Sequence, residues 1–220
     1  MKKIFYLLIF IVSTVCESLS KEIPVITISA GKTEQNINTV GSDISSISEN
    51  DIEKSSSFFL GNLLHDNLNG MNFSQTGGYG TNSLIQLRGL PKRYTTVYID
   101  GVKMSDPSTP DNAFYFNNVT MNGIKSVEIL KGSQSSLYGS GAIGGTVIIQ
   151  TKKGRPGHHQ NVETHFETNN TKGLNLSFDG KNNYHNYFLG INKYSTDGIS
   201  AMNDNDENDR YKNNGIVANY

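Results

Sequence analysis

Hydrophobic and polar positions change their rhythm along the chain, and each change predicts a different kind of element. Met1-Lys2-Lys3 is followed by an unbroken apolar run from Ile4 to Val12 and then by small residues from Ser13 to Ser20. A cationic start and an apolar run too short to span a bilayer predict a secretory signal peptide over 1–20; a buried N-terminal core helix is the competing reading. Cys16 lies near the cleavage region, but Val15 stands where a lipoprotein signal wants a small residue. The next segment, Lys21–Lys32, is β-branched around Val25–Ile28 and carries Pro24, so it is extended and cannot continue a helix. Such a segment can add itself to the edge of a partner's sheet or serve as the first strand of the domain, and the pattern leaves both open.

From Ile37 to Thr151 short apolar runs alternate with turn residues. Ile37–Ile47 is β-like. Ser48 ahead of Glu49, Asp51 and Glu53 predicts a helix start. Phe59 or Leu60 with Leu63 and Leu64 places apolar residues on one helical face, and Asn69-Gly70 ends that helix. Phe73–Ser83 is glycine-dense and reads as a mobile loop. Leu84–Leu87, Thr95–Ile99, Ser126–Leu130 and Thr146–Thr151 read as strands, with Asp100-Gly101 as a hairpin turn. Lys103–Asn118 carries Pro107, Pro110 and the run Phe114-Tyr115-Phe116, and reads as a long exposed loop with an aromatic tip. Strands mixed with short helices predict an α+β domain.

After Lys152–Gly157 the rhythm becomes strictly alternating. Val162, Thr164, Phe166 and Thr168 interleave with Glu163, His165 and Glu167; Leu174, Leu176 and Phe178 with Asn175, Ser177 and Asp179. Tyr187, Leu189 and Ile191 continue it, and Ile216, Ala218 and Tyr220 repeat it, with polar turns between. These are the marks of an outer-membrane β-barrel wall or of a soluble meander with one wet face, and periodicity alone does not separate them.

Composition narrows the chemistry. The 220 residues carry 19 Lys+Arg and 20 Asp+Glu, a formal net charge of −1, which argues against a polybasic nucleic-acid binder. One cysteine excludes a disulfide framework and a Cys-rich zinc site. Gly139-Ser-Gly141-Ala-Ile-Gly144 matches a dinucleotide fingerprint, yet it runs into Thr146–Ile149, a strand, so the helix N-terminus that would hold the phosphates is missing. Asp204, Asp206 and Asn208 alternate as in a calcium loop, but the required Gly and Glu are replaced by Asp209 and Gly215, so a surface turn is expected, with a weak divalent site over 204–209 left open. His158-His159 reads as a solvated linker. No catalytic constellation or metal site is found, no cofactor is expected, and an enzyme reading has no residue set to support it.

The ordered motifs together resemble the plug domain of TonB-dependent outer-membrane receptors, over about Glu22–Gly154. EIPVITISAGK resembles the energy-coupling box; SLIQLRG resembles the family's I-R-G strand; TVYIDGVKM resembles its V-x-I-D-G-V strand and turn. SVEILKGSQSSLYGSGAIGGTVIIQTKKG resembles its long C-terminal block, departing from it at Ser133, usually Pro, and Ile148, often Asn. The resemblance implies a signal peptide over 1–20, a coupling segment over 21–34, a plug over 35–154 and first barrel strands over 155–220. The implied fold is an α+β plug with a small mixed sheet, followed by the start of an antiparallel transmembrane β-barrel. A handful of strands cannot close a barrel, so a fragment, a truncated gene or one piece of a split receptor is expected.

The family's function implies energy-coupled uptake of a scarce metal chelate, a ferric siderophore or cobalamin, across the outer membrane. It implies a TonB-like periplasmic partner gripping Ile23, Pro24, Val25, Ile26, Thr27 and Ile28. Ligand contacts are expected from Gln75, Tyr79, Asn82, Ser83, Ser105, Asn112, Tyr115 and Phe116, while Lys92, Arg93 and Tyr94 form a connection facing either side. Arg88, Gly89, Asp100, Gly101, Glu128, Gly132, Tyr138, Gly139, Gly144 and Gly145 form the structural motif, with Arg88 and Glu128 expected to pair within the plug or with the wall. A barrel-less envelope ligand-binding protein and a nonfunctional fragment are the alternatives.

Overall fold

A computed structural model describes residues 26–27, 31, 33, 35–200, 202 and 207–220. The chain first lays down β1 (Ile26–Thr27) and β2 (Gln35–Asn36), a two-residue antiparallel ladder. The α+β domain follows: β3 (Asp43–Ile47), α1 (Glu49–Lys54), α2 (Leu60–Asn67), β4 (Met71–Gln75), β5 (Ser83–Leu87), β6 (Thr95–Ile99), β7 (Val102–Met104), β8 (Ile124–Lys131), α3 (Ser135–Tyr138) and β9 (Gly145–Thr151). Four long strands close the described chain: β10 (Gly157–Glu167), β11 (Thr171–Lys181), β12 (Asn186–Thr196) and β13 (Tyr211–Asn219).

The domain's main sheet runs β3-β8-β9-β6-β7, antiparallel except for the parallel pair β6–β9. Helices and the β4–β5 hairpin cover one face. There Leu60, Leu63, Leu64, Ile85, Leu87, Val97, Val127, Ile129, Val147 and Ile149 pack into one buried cluster. Leu130, Tyr138 and Ala142 cover the other face with Ile44, Tyr98 and Ile148 around them. Because both faces of β8 and β9 are occupied, their apolar residues run continuously instead of alternating. Each fully buried aliphatic side chain contributes about 1.5–3 kcal/mol.

Local signals act where the sequence placed them. Ser48 and Asp51 form a reciprocal capping box at α1, with the Ser48 N–H donating to Asp51 Oδ2 at 2.9 Å and the Asp51 N–H to Ser48 Oγ at 3.3 Å. The Ser48 hydroxyl, donating to Asp51 Oδ2 at 2.6 Å, and then the Ser48 N–H hold the Asp51 carboxyl below its ordinary value. Asp100 and Gly101 take φ of 47° and 83°, the paired left-handed turn that closes β6 onto β7. Gly145 opens β9 where a Cβ would lie 2.3 Å from the Leu130 carbonyl oxygen and 2.6 Å from Leu87 Cδ1, so no larger residue fits between β8 and β5.

The second sheet is antiparallel, in the order β10-β11-β12-β13, and open at both described edges. Its register aligns Val162, Leu176, Ile191 and Ile216 in one cross-strand row. Val162 is 65% exposed, Phe166 73% and Ile216 73%, whereas Asn175, Asp179, Asn192 and Tyr194 are buried against the α+β domain. The apolar side therefore faces away from the protein and the polar side faces in, the reverse of a soluble meander. That arrangement decides between the two readings left open by periodicity.

Several expectations are corrected. Phe73–Gln75 belongs to β4, so the glycine-rich loop shrinks to the hairpin tip 76–82. Ile37–Thr39 forms a turn of 3-10 helix, leaving only Asp43–Ile47 extended. His158 and His159 lie in β10: the first contacts the Tyr187 hydroxyl at 2.9 Å through Nδ1, and Nε2 of the second approaches the Pro156 carbonyl oxygen at 2.9 Å. A strand that must reach across the sheet recruits its flanking polar residues, which composition alone marks as linker. The signal peptide 1–20 and residues Asp204 and Asp206 lie outside the described residues.

Candidate functional site

The β4–β5 hairpin and the loop after β7 meet on one side of the domain. Gly78 is the hub of the hairpin tip: its carbonyl oxygen accepts from Gln75 Nε2 and from Thr81 Oγ1 at 2.8 Å. The Thr76 N–H donates to the Asn82 carbonyl at 3.1 Å, which closes the tip. Tyr79 is half-buried, its ring 5.5 Å from Phe59 and 5.3 Å from Tyr194 of β12. Gly80, at φ 84°, lies so close beneath the Tyr211 ring that a Cβ there would sit 2.3 Å from it. Phe58, Phe59, Tyr79, Tyr194 and Tyr211 thus form an aromatic joint between the hairpin and the four-stranded sheet. Beside the joint opens a groove of about 380 Å³ whose lining includes Asn62, Gln75, Tyr79, Glu167, Thr171 and Thr196.

The 105–118 loop is tied down rather than free. Lys92 Nζ donates to the Tyr115 hydroxyl at 2.7 Å and forms an ion pair with Asp111 at 3.1 Å. The Tyr115 hydroxyl and the Asp111 carboxylate hold the Lys92 ammonium above its ordinary value, and the same ammonium holds Asp111 below the usual carboxylate range. Asp106 accepts from the Ser108 N–H at 2.9 Å and the Ser108 hydroxyl at 2.6 Å, which depresses its carboxyl as well. Lys92 therefore sits with this loop.

The predicted ligand residues divide. Gln75, Tyr79 and Asn82 come together at the hairpin tip, with the Gly80 carbonyl accepting from Asn117 Nδ2 at 3.3 Å. Ser105 and Asn112 are exposed on the neighbouring loop, and Tyr115 is its half-buried strut. Ser83 and Phe116 are corrected: both are buried, at 1% and 2% exposure, with the Phe116 N–H donating to the Ser83 carbonyl at 2.9 Å. Phe116 packs into the main core because its ring gains more there than at a solvated tip, and Phe114 stacks edge-on to it at 4.9 Å.

A second cluster pins the junction between the domain and the long strands. Arg155 makes a two-pronged ion pair with the buried Asp179, Nε to Oδ2 at 3.0 Å and Nη2 to Oδ1 at 2.8 Å. Lys152 bridges to Glu49 and Glu53 of α1 at 3.1 and 3.2 Å. The Gly154 N–H donates to Asn186 Oδ1 at 2.8 Å, and Asn219 Nδ2 to Thr151 Oγ1 at 3.1 Å. Between joint and junction the boundary stays polar: Asn122 Nδ2 donates to the Ile191 carbonyl at 3.1 Å, and Asn192 Nδ2 to Asn213 Oδ1 at 2.8 Å.

Within the structural motif, Arg88 at φ 53° donates from Nη2 to Asp43 at 3.1 Å, so its partner lies inside the domain. Its guanidinium sits over Gly132. Asp100 accepts from the Thr151 N–H at 2.9 Å and from its hydroxyl, which caps the end of β9. Glu128 is buried on the face of β8 that carries Leu130 and Tyr138. Of the coupling segment, Ile23, Pro24, Val25 and Ile28 lie outside the described residues. The Ile26–Thr27 backbone pairs with Gln35–Asn36 and joins neither larger sheet. Among the described residues no three His, Cys, Asp or Glu side chains converge to hold a metal.

The sequence model of the TonB-dependent receptor plug domain matches residues 36–146, the span of this α+β domain. The chain belongs to the TonB-dependent receptor plug-domain family. A vitamin B12 transporter, BtuB of Vibrio cholerae, is 31% identical over 127 residues, which cover 58% of this chain and 20% of the relative. The siderophore receptor PiuA from Acinetobacter baumannii shares the fold at a TM-score of 0.65, with 21% identity over 84% of this chain and 24% of that one. The ferripyoverdine receptor of the outer membrane of Pseudomonas aeruginosa does so at 0.66, with 14% identity over 80% and 23%. The chain thus spans about a fifth of the length of the curated relatives it matches. The α+β domain is a plug and the open sheet beside it is the beginning of a receptor wall; relatives of this kind are transporters and receptors, not enzymes.

Neither the joint of Phe58, Phe59, Tyr194 and Tyr211 nor the Arg155–Asp179 pair is read from the sequence, which offers Phe59 only for the face of a helix. One signal was available: Tyr194, like Phe188, is a large aromatic in the inward phase of a strand whose other inward residues are small or polar.

Proposed function

We propose that this chain supplies the plug and first wall strands of an outer-membrane receptor for energy-coupled uptake of a scarce metal chelate, a ferric siderophore or cobalamin. One observation carries the reading: a plug docked through polar contacts onto the inner side of a sheet whose outer side is apolar. A barrel-less binding protein would leave that apolar side in water. The ligand meets the hairpin tip at Gln75, Tyr79 and Asn82 and the loop at Ser105, Asn112 and Tyr115, and neutral amides, hydroxyls and aromatic edges suit a bulky chelate. A TonB-like periplasmic protein grips residues 23–28 by strand addition, with Pro24 and the β-branched run keeping the segment extended. The two-residue β1–β2 ladder is too short to hold that segment against a partner's edge, because so small a hairpin is marginal in water. Outer-membrane residence and the signal peptide 1–20 belong to the same reading.

In cells expressing the receptor that contains this sequence, Val25→Pro is expected to abolish chelate uptake while leaving chelate binding to whole cells unchanged. A proline there removes a backbone donor from the added strand. Unchanged uptake overturns the coupling role.

A further inference from the structure

Asn-x-Ser/Thr, the acceptor pattern for N-linked sugar in exported proteins, occurs at Asn72, Asn118, Asn169 and Asn175. Only Asn169 has a carboxylate two positions before it, in Glu167-Thr168-Asn169-Asn170-Thr171; Gly70, Phe116 and Gly173 stand there in the others. A carboxylate at that place gives a cationic peptide-binding site a charge-assisted contact in addition to the threonine hydroxyl.

The fold separates the four in the same way. Asn175 is buried, and its Nδ2 donates to Glu163 at 3.2 Å. Asn118 accepts from the Tyr211 hydroxyl at 2.7 Å beside the aromatic joint, and Asn72 donates to Gln86 at 3.1 Å across the β4–β5 hairpin. A sugar on any of these three breaks a contact within the plug or between plug and wall. Asn169 sits instead on the turn that joins β10 to β11, at φ 57° with Asn170 at 54°. It is exposed, and among the described residues its hydrogen bonds beyond the turn run through its backbone carbonyl, which accepts from the Asp197 N–H at 3.0 Å and the Thr196 hydroxyl at 3.5 Å. Its side-chain amide is therefore free to carry a sugar without cost to the sheet. The paired left-handed turn accounts for the two asparagines but asks nothing of Glu167.

The turn shares its end of the sheet with the long 197–210 connection, whereas the short 182–185 turn lies at the other end. Outer-membrane barrels keep short turns on the periplasmic side and longer loops outside, so a sugar on Asn169 faces the medium. Thr171 is 4% exposed and its hydroxyl donates to Thr196 at 2.7 Å, while His165 Nε2 lies 2.7 Å from Glu167 Oε1. Once β10, β11 and β12 have paired, the threonine is out of reach, so the pattern is readable only in the unpaired chain.

We propose that Asn169, read together with Glu167 and Thr171, is an N-glycosylation site that is modified while the exported chain crosses the periplasm. The donor is an oligosaccharide carried on a lipid diphosphate. Asn169 Nδ2 attacks the anomeric carbon, the new C–N bond replaces the C–O bond to the diphosphate, the lipid diphosphate leaves, and one Nδ2 proton is released. The outward position of the sugar rests on the wall reading; its attachment does not.

The receptor that contains this sequence is purified from the outer membranes of its own host and digested with trypsin, and the peptides are sequenced by electron-transfer mass spectrometry. Added saccharide mass is expected on Asn169 and on none of Asn72, Asn118 and Asn175. Asn169→Gly, which keeps the left-handed turn, is expected to lose that mass while the receptor still reaches the outer membrane. Glu167→Gln is expected to lower occupancy about tenfold, and Glu167→Asp to retain it. An unmodified Asn169 in the parent, or undiminished occupancy in Glu167→Gln, overturns the proposal. Intact cells are also oxidised with periodate and tagged with a membrane-impermeant hydrazide, which is expected to label the parent and not Asn169→Gly. Sugar present on Asn169 but closed to that tag overturns the wall reading and leaves the modification standing.

Discussion

Strands β9 and β11 belong to one chain and obey opposite rules. β9 carries Val147, Ile148 and Ile149 in succession, because the plug core lies on one side and Leu130, Tyr138 and Ala142 on the other. β11 alternates Leu174, Leu176 and Phe178 with Asn175, Ser177 and Asp179, because its two sides meet different surroundings. The medium on each face, not the strand conformation, writes the pattern. The comparison extends to what the strands touch. Inside the plug, aliphatic side chains interlock; between plug and wall, the contacts are mostly amides and ion pairs, with the aromatic joint at one end. Hydrogen bonds of this kind exchange for bonds to water at a net cost of about 1 kcal/mol each, so the plug is held together more firmly than it is held in place.

Leu64→Ala against Leu176→Ala breaks the comparison most sharply. Leu64 is fully buried in the plug core, and its truncation is expected to cost about 2–5 kcal/mol. Leu176 faces outward, where detergent or lipid fills the space, and the same change there is expected to cost under about 1 kcal/mol. Denaturant unfolding in detergent checks both, and equal losses would erase the distinction between the two sheets. Next in size is Asp179→Asn, which removes the partner of Arg155 at the plug–wall junction. Because the Arg155 side chain is 54% exposed and water can replace the lost carboxylate, the expected cost is about 1–2 kcal/mol. It should appear as faster protease cleavage within 152–157 while the pairing of β10 to β13 is retained. A smaller effect than that of Asp179→Asn is expected at α1, where Ser48→Ala costs about 1 kcal/mol in plug stability. Its pH dependence sharpens the assignment. Asp51 is held below its ordinary value by Ser48, so its contribution is complete above about pH 4 and disappears as the pH falls through the depressed value. Acid titration of stability should therefore be flatter in the Ser48→Ala variant than in the parent.

Much of the fold was legible because its signals are local. The capping box at Ser48, the Asp100-Gly101 turn and the alternation around Leu174–Phe178 each involve neighbours along the chain, and each acts where it stands. The ligand face was legible only in part. Phe114-Tyr115-Phe116 looks like an exposed aromatic tip because sequence shows that the run is flanked by polar residues, not that the main core lies within reach of Phe116. Ser83 was misplaced for the same reason: it begins a strand buried by the returning loop.

The residues alone determined that strands mixed with short helices are followed by strands with one apolar face, since covalent spacing and side-chain polarity settle both. Which way that apolar face points, that Arg88 turns to Asp43, that Arg155 finds Asp179, and that Tyr79 meets Tyr194 and Tyr211 were decided only in three dimensions. These contacts join segments distant in the chain, and their partners are selected by what remains unburied or unpaired once the local elements have packed.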